Sequence, residues 1–280
     1  MLIFLNFTTI FNHLTRFFAS SRLIVAIITL TTDLGSKSHY LSIIKGMLLS
    51  AAAKPDIIDI SHDCEPFDII ESTYVFKLVN NYFPNNTIHI FSIDYNSAQE
   101  GRILCTKHNN QLFIFPDNGS LSLVFPDENL VVWEIAKAPL PPFAIASVMV
   151  KAAIQLMDNG YKPDQLFQQL DKFHKVGAIT AVVTDVKLIG TIMYNDSYGN
   201  AHTNITRHEF EKFTANKRFR INLSRHEWIE EVNTSFDHTK GGESVGKFNN
   251  MNLLMIGVNR GKATQLLNLT KNKTISIDLL

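Results

Sequence analysis

The sequence is poor in cysteine, in tryptophan and in net charge. Cys64 and Cys105 are the only two cysteines in 280 residues, too few for a disulfide framework or a cysteine-rich metal site. Basic and acidic side chains number 26 each, so the formal net charge is zero. A neutral chain offers no general attraction to nucleic acid or to an anionic membrane surface. We therefore expect a reduced, cytoplasmic setting, with no nucleic-acid partner and no stable membrane association.

Long apolar runs and glycine-rich phosphate loops are also missing. The segment 1–25 is aromatic and aliphatic, but its longest apolar run is too short for a membrane span. Three interpretations of it stay open, in order of preference: a spurious or disordered extension, a signal peptide without the usual basic start, and a membrane anchor. No Gly-x-Gly-x-x-Gly follows a predicted strand, which argues against a nicotinamide cofactor. The ten histidines are scattered without ligand-like spacing, so no metal site is predicted.

The most informative stretch lies near the start of the chain. A short apolar segment, Ile27 to Thr32, ends in Asp33-Leu34-Gly35 and is followed by apolar residues at helical spacing. A strand that breaks at a glycine and feeds a helix is the first unit of an open α/β sheet, and ligands bind beyond the carboxyl ends of such strands. A carboxylate at Asp33 suits a ribose diol, since it accepts two hydrogen bonds at once. The alternative is that Asp33 caps the helix, and spacing alone favours this alternative.

Strand and helix patterns alternate through the first half of the chain. Helical spacing predicts helices over Phe67 to Tyr82 and Ser147 to Met157, and the strand Thr87 to Ile93 ends at a second carboxylate, Asp94. A helix-like piece at Pro163 to Phe173 is interpreted as a hinge. Beyond it, short strands with glycine and asparagine turns suggest a small β-barrel or sandwich.

Several short motifs occur in a specific order along the chain. Each is weak alone, but together they cover nearly all of Ile27 to Leu280. The motifs are Thr31 to Gly35, Lys45-Gly46, Asp59 to His62, Pro66 to Ile69, Phe83-Pro84, Thr87 to His89, Pro116 to Gly119, Tyr198 to Ile205 and Val258 to Ala263. In these motifs the sequence resembles the S-adenosylmethionine hydroxide adenosyltransferases, relatives of the fluorinase and chlorinase enzymes.

The resemblance implies a fold and a reaction. The expected fold is α/β, with a Rossmann-like N-terminal α/β domain over 26–175 and a smaller C-terminal β-barrel domain over 176–280. Family members form homotrimers and bind S-adenosylmethionine between neighbouring subunits. Water or hydroxide attacks the ribose C5′, methionine leaves, and adenosine is the product. S-Adenosylmethionine is the substrate, and no other cofactor is expected.

The resemblance also implies catalytic residues, one of which is missing. The family activates its water with an aspartate, an arginine and a histidine, and the first two resemble Asp94 and Arg102. Ala144 stands where the histidine is expected, and its side chain can neither donate nor accept a proton. His39, His62 and His89 are candidate replacement bases, of which His39 is preferred because it lies near Asp33 in the sequence.

Six substrate-binding residues follow from the same resemblance. Asp33 resembles the ribose-diol carboxylate, and Asn250 falls on a family serine at the methionine end. Met251, beside it, stands where the halogenating relatives carry an arginine. The remaining four are the methionine and adenine contacts Asp196 and Asn200, and the aromatic residues flanking the adenosyl group, Phe143 and Tyr198.

Three functional hypotheses remain at this point, the weakest being the same chemistry on a different nucleophile or nucleoside. The first is slow hydrolysis of S-adenosylmethionine, since losing one proton-transfer group typically costs about 100- to 10,000-fold in rate. The second is a protein that binds the adenosyl compound without turning it over. The missing histidine at Ala144 favours the second. The first is favoured by the retained residues Asp33, Asp94, Arg102, Asp196 and Asn200.

Overall fold

The computed structural model describes residues 26–126, 129–141, 143–215, 217–224 and 226–280. The prediction made for residues 1–25 therefore lies outside the described part of the chain. The described residues form two sheets with separate hydrophobic cores. The first sheet ends at Leu170 and the second begins at Val182, with the predicted boundary at 175/176 between them.

The strand order of the first sheet reverses at β1. Its spatial order is β2-β1-β3-β5-β4-β6-β7. The pairs among β2, β1, β3 and β5 are parallel, and the pairs β5–β4, β4–β6 and β6–β7 are antiparallel. The chain leaves β1 for β2 on one side and then returns to β3 on the other. Such a reversal opens a crevice at the carboxyl ends of the two strands. The strands are β1 (Ile27–Thr32), β2 (Asp56–Ser61), β3 (Ile88–Ser92), β4 (Ile103–His108), β5 (Gln111–Pro116), β6 (Val132–Ala136) and β7 (Gln168–Leu170).

Helices cover both faces of this sheet. On α1 the buried residues Leu41, Ile44 and Leu48 recur at helical spacing and pack against β1. Ser38 is the N-cap of α1, so the interpretation of Asp33 as the cap is wrong. The helices are α1 (His39–Leu49), α2 (Ile69–Val79), α3 (Ser120–Val124) and α4 (Lys151–Asp158), which is preceded by a π-helical turn (Ile145–Val150).

On the face of the sheet opposite α1, aromatic rings pack around His89. This histidine is fully buried, stacks on Phe113 with a centroid separation of 4.8 Å and places Nδ1 2.7 Å from Thr29 Oγ1. Burial disfavours the imidazolium and lowers the pKa of His89 to about 4, although Gln111 partly opposes the shift. His89 is thus a core residue and not a candidate base.

The buried His89 should make the protein less stable as the pH falls from about 6.5 to about 4. The unfolded chain binds a proton at the upper end of this range and the folded chain only at the lower end. Linkage then removes about 3 kcal/mol of unfolding free energy across the range. Urea unfolding of the wild type and of His89→Gln at several pH values measures this. An equal slope in both proteins would contradict the assignment.

The second sheet is antiparallel and nearly closes on itself. Its order is β12-β11-β15-β9-β10-β14-β13, with β8 paired to β9. The edge strands β12 and β13 lie against each other, so the sheet has a barrel-like shape, as predicted. The strands are β8 (Val182–Val183), β9 (Lys187–Asn195), β10 (Ala201–Thr206), β11 (Phe219–Asn222), β12 (Trp228–Ile229), β13 (Ser244–Phe248), β14 (Leu253–Val258) and β15 (Thr274–Leu279). The helices here are α5 (Arg207–Thr214) and α6 (Ala263–Leu266).

Two segments differ from their prediction. Pro163 to Phe173 is not a helix: a 3₁₀ turn at Pro163–Gln165 leads into β7, whose pairing with β6 overrides the local pattern. The helix α5 was not predicted from its apolar spacing, but it carries a capping box between Thr206 and Glu209.

The domains are joined through α2. Asp68 caps this helix by accepting hydrogen bonds from the backbone of Ile70 and Glu71. Lys271, from the second domain, forms ion pairs with both Asp68 and Glu71. The same lysine donates its backbone N–H to Asn195 Oδ1 at 2.8 Å, which fixes the end of β9 relative to α2.

Candidate active site

The two strand-end aspartates, Asp33 and Asp94, are hydrogen-bonded neighbours in the crevice at the carboxyl ends of β1 and β3. Asp33 Oδ2 accepts the backbone N–H of Asp94 at 3.2 Å and that of Phe67 at 3.1 Å. Asp33 Oδ1 has no donor among the described residues. One oxygen of Asp33 therefore fixes the surrounding loops, while the other is available for a ligand hydroxyl.

The backbone of Asp94 is held in an unusual conformation. Its φ of 46° lies in the left-handed region, which costs a non-glycine residue of order 1 kcal/mol or more. Asn118 Nδ2 donates to the carbonyl groups of Ile93 and Asp94 at 2.9 and 3.1 Å, and Ser97 Oγ donates to Asp94 O at 2.9 Å. These bonds hold the strained residue in place, as is common where a side chain must be presented to a ligand.

Arg102 is directed toward the turn that carries Asn118. Its Nε lies 3.3 Å from Asp117 Oδ2, and one of its terminal nitrogens lies 3.6 Å from Glu100. Burial raises the pKa of Asp117, whose side chain is 0% exposed, while the His174 backbone N–H and Arg102 act in the opposite direction. Among the described residues, the ion pairs of Arg102 are thus with Asp117 and Glu100, and its link to Asp94 runs through the Asp117-Asn118 turn.

Replacing Arg102 by methionine should lower the free energy of unfolding by about 3 kcal/mol, because the buried Asp117 then loses its cationic partner. Urea unfolding at neutral pH checks this value. The double variant with Asp117→Asn should recover part of the loss, since the amide needs no counter-charge. An unchanged urea midpoint in Arg102→Met would show that the pair contributes nothing.

Phe143 lies beside α1, at the edge of the same crevice. Its ring packs against Tyr40 with a centroid separation of 4.8 Å, and its φ of 58° is left-handed. Ala144 follows at the start of the π-helical turn and is 0% exposed. His39 is exposed and its ring lies 4.0 Å from that of Tyr40. His62 is buried, with Nδ1 2.8 Å from Thr32 Oγ1 and Nε2 3.0 Å from Asp59 Oδ1, so both ring nitrogens have structural partners.

A second group of predicted residues surrounds a cavity in the barrel domain. The cavity has a volume of about 490 Å³, adequate for a nucleoside-sized group. Tyr198 stands at its edge and is 77% exposed. The cavity is also lined by Asn200, Phe236, Asn259, Arg260 and Lys262. Four of these residues were not among the predicted site residues, although three of the four lie in the Val258 to Ala263 motif: Phe236 outside it, and Asn259, Arg260 and Lys262 within it.

Asp196 and Asn200 form one hydrogen-bonded unit at this cavity. Asp196 Oδ1 accepts the backbone N–H of Asn200 at 2.9 Å, and Oδ2 accepts Asn200 Nδ2 at 2.8 Å and lies 3.2 Å from His202 Nε2. Burial alone would raise the pKa of Asp196, but the hydrogen bonds from His202 and Asn200 outweigh it and lower this pKa. The carboxylate is therefore ionised at neutral pH and fixed in orientation.

Gly257 makes room for this unit. A Cβ atom there would lie 2.4 Å from Asn200 Oδ1 and 2.6 Å from the Phe236 ring. We expect Gly257→Ala to weaken adenosine binding by about tenfold through overpacking. Calorimetry measures it, with Gly246→Ala as control, since a Cβ there meets its neighbours at 3.5 Å or more. Equal affinities in the two variants would show that the adenine does not bind beside Asn200.

Asn250 is the one predicted binding residue that lies apart from both groups. Its Nδ2 donates to Leu78 O at 2.8 Å and to Tyr82 Oη at 3.2 Å, at the end of α2. It lines a different, polar cavity together with Lys77 and Met251. Its neighbour Asn249 is hydrogen-bonded toward His202 instead.

Comparison with known proteins identifies the family. The model of the SAM hydroxide adenosyltransferase N-terminal domain matches residues 28–190, and that of the C-terminal domain matches residues 190–276. The chain belongs to the SAM hydroxide adenosyltransferase family. The resemblance drawn from the short motifs is thereby confirmed.

Two relatives of this family member are named (R)-S-adenosyl-L-methionine hydrolase. The protein of Methanocaldococcus jannaschii is 29% identical over 203 residues, which is 66% of this chain and 69% of the relative. That of Thermus thermophilus is 22% identical over 264 residues, 88% of this chain and 97% of the relative.

Solved structures confirm the fold. An uncharacterized conserved protein from Thermotoga maritima superposes with a TM-score of 0.78 at 27% identity, over 90% of this chain and 99% of that one. A conserved hypothetical protein from Thermus thermophilus gives 0.68 at 21% identity, over 92% and 100%. The α/β domain followed by a barrel-like domain is thus the fold shared with these structures.

Two absences concern the described residues alone. No group of three or more histidine, cysteine, aspartate or glutamate side chains is placed there to hold a metal ion. None of the helices described is long and apolar enough to cross a membrane.

Proposed function

We propose that this chain hydrolyses S-adenosylmethionine to adenosine and methionine by attack of water or hydroxide on the ribose C5′. The observation that carries the proposal is the hydrogen bond from the Asp94 backbone to Asp33 Oδ2, at 3.2 Å. It joins two aspartates from separate strand ends, and this supports a shared role for them. Family membership and the names of the two hydrolase relatives support the same reaction.

Each predicted residue takes a role in this proposal. Asp33 accepts the ribose diol and Asp94 orients the attacking water. Arg102 contributes to catalysis by holding the Asp117-Asn118 turn on which the Asp94 backbone rests. Phe143 and Tyr198 flank the adenosyl group, and Asn200 contacts the adenine. Asp196 and Asn250 contact the methionine part.

The main task of the protein in this reaction is to position the attacking water and the substrate. The sulfonium makes methionine a good leaving group without protonation, so no other cofactor is required. The water must lie in line with the C–S bond and lose part of its solvation. Asp94 fixes the water, while Ala144 leaves the family's proton-accepting position empty of any polar group. We therefore propose a slow hydrolase.

We further propose that the site is completed by a neighbouring subunit of a homotrimer. The single chain leaves large aromatic side chains uncovered around both groups of residues: Tyr198 is 77% and Phe67 68% exposed. Rings that flank an adenosyl group need a second wall, which another subunit would supply. The two buried free cysteines, Cys64 and Cys105, are compatible with the cytoplasmic location that we propose.

Chromatography of the reaction products tests the activity. The purified protein is incubated with S-adenosylmethionine, each sulfonium epimer separately, and adenosine and methionine are quantified over time. We expect both products in equal amounts. Formation of adenosine no faster than with the Asp94→Ala variant would count against hydrolysis.

The full burial of Ala144, at the position where the family carries its histidine, favours one alternative, a protein that binds the adenosyl compound without consuming it. Calorimetry with S-adenosylmethionine separates the two. Tight binding of a ligand that is recovered unchanged would support the alternative, and absence of binding would remove both.

A further inference from the structure

His202 lies directly behind the ligand-facing unit of Asp196 and Asn200. It is a residue of β10, is 7% exposed, and its ring lies 5.4 Å from that of Tyr194 and 6.1 Å from that of Tyr74. Its Nε2 is 3.2 Å from Asp196 Oδ2 and its Nδ1 is 3.3 Å from Asn249 Nδ2. The histidine thus connects the Asp196–Asn200 unit to Asn249 and to Tyr74 on α2 of the first domain.

The orientation of Asn249 determines which nitrogen of His202 carries a proton. Asn249 Oδ1 accepts the backbone N–H groups of Met251 and Leu253, at 2.9 and 3.1 Å. The atom facing His202 must therefore be the amide nitrogen, a donor that also contacts Tyr74 Oη at 3.1 Å. A donor facing Nδ1 requires Nδ1 to be the acceptor. In neutral His202 the proton then resides on Nε2 and is donated to Asp196.

The orientation of the Asn200 side-chain amide follows from the same reasoning about donors and acceptors. A carboxylate is only an acceptor, so the Asn200 atom at 2.8 Å from Asp196 Oδ2 must be Nδ2. Asn200 Oδ1 is then directed away from Asp196 and has no donor among the residues that the structure describes. Because Asn200 lines the cavity, this oxygen is an acceptor available to a ligand there.

We propose that His202 is a positioning residue that fixes the Asp196–Asn200 unit, so that the cavity presents an acceptor to the ligand. The inference rests on the proposed function for the position of the base. A purine with an exocyclic amino group donates a hydrogen bond to that acceptor. A purine with a carbonyl group at the same position places two acceptors against each other. His202 therefore contributes to the preference for adenosine over inosine.

Calorimetry with adenosine and with inosine tests this on full-length protein. His202→Phe keeps the ring packed between the two tyrosines and removes the donor, so adenosine binding should weaken by roughly tenfold and the preference over inosine should fall by a similar factor. His202→Gln restores a donor toward Asp196 and should recover most of the preference. His208→Phe, at an exposed histidine of the same domain, is the matched control.

In the turnover assay His202→Phe should raise KM with little change in kcat, because the residue acts on binding. If His202→Phe prefers adenosine over inosine as strongly as the wild type does, the inference is overturned. It is also overturned if the affinities for both nucleosides fall equally and in proportion to a loss of thermal stability. A wild type that binds adenosine selectively but forms none from S-adenosylmethionine would refute the proposed hydrolysis alone. A wild type that binds neither nucleoside would overturn the inference.

Discussion

Replacing Asp94 by alanine should lower the rate of adenosine formation by about 100- to 10,000-fold. The carboxylate is the group that orients the attacking water, and Ala144 offers no second polar group to take over its role. The effect should appear in kcat, because the contact is made with the nucleophile and not with the adenosyl group. Single-turnover measurement of adenosine checks it, with Asp158→Ala, an exposed carboxylate on α4, as control.

Asp94→Gly separates the chemistry from the strained backbone. Glycine adopts the left-handed conformation of this position without strain, so this variant should unfold at a urea concentration close to that of the wild type. Its activity should be as low as that of Asp94→Ala. Activity above about one tenth of the wild-type rate in either variant would refute the role assigned to the carboxylate.

Asp33→Asn should weaken adenosine binding by about 10- to 100-fold. The amide oxygen can still accept the backbone N–H groups of Phe67 and Asp94, so the loops keep their structure. What is lost is the charged acceptor for the ribose diol. Calorimetry with adenosine measures the loss, and an unchanged melting temperature shows that the fold is retained.

Comparing ribose and dideoxyribose ligands makes the Asp33 prediction specific. The wild type should bind adenosine much more tightly than 2′,3′-dideoxyadenosine, and this difference should nearly vanish in Asp33→Asn. If the variant discriminates against the dideoxy compound as strongly as the wild type does, the diol is bound elsewhere.

The fold could be predicted from the sequence where local pattern and tertiary pairing agree. The strand before Asp33 and the helix after it follow from a short apolar run, a glycine and helical spacing. The pattern at Pro163 to Phe173 failed because β7 is defined by its partner strand and not by its own residues. Local patterns report propensity, whereas edge pairing depends on what lies across the sheet.

The site was only partly predictable for a similar reason. The proximity of Asp33 and Asp94 depends on β1 and β3 being neighbours, which the order of the strands along the chain does not specify. Arg102 was paired with Asp94 by family position, but the structure directs it to Asp117, whose burial gives no signal in the sequence.

Neither His202 nor Asn249 was predicted to be functional, although His202 lies within the Tyr198 to Ile205 motif. A histidine in a strand next to the Tyr198-Gly199-Asn200 turn is compatible with an ordinary buried residue. Its connection to Asn249 joins positions 47 residues apart, through the pairing of β10 with β14. Only the spatial arrangement of acceptors and donors assigns it a role.

A crystal structure of the protein with bound adenosine and methionine tests the central claim most directly. The account predicts the ribose diol on Asp33 of one subunit, with the C5′ carbon facing Asp94. It predicts the adenine within the cavity of Tyr198 and Asn200 contributed by a neighbouring subunit. Adenosine bound at a place remote from Asp33 would contradict it. So would a crystal in which adenosine is fully bound but its adenine lies outside the barrel-domain cavity.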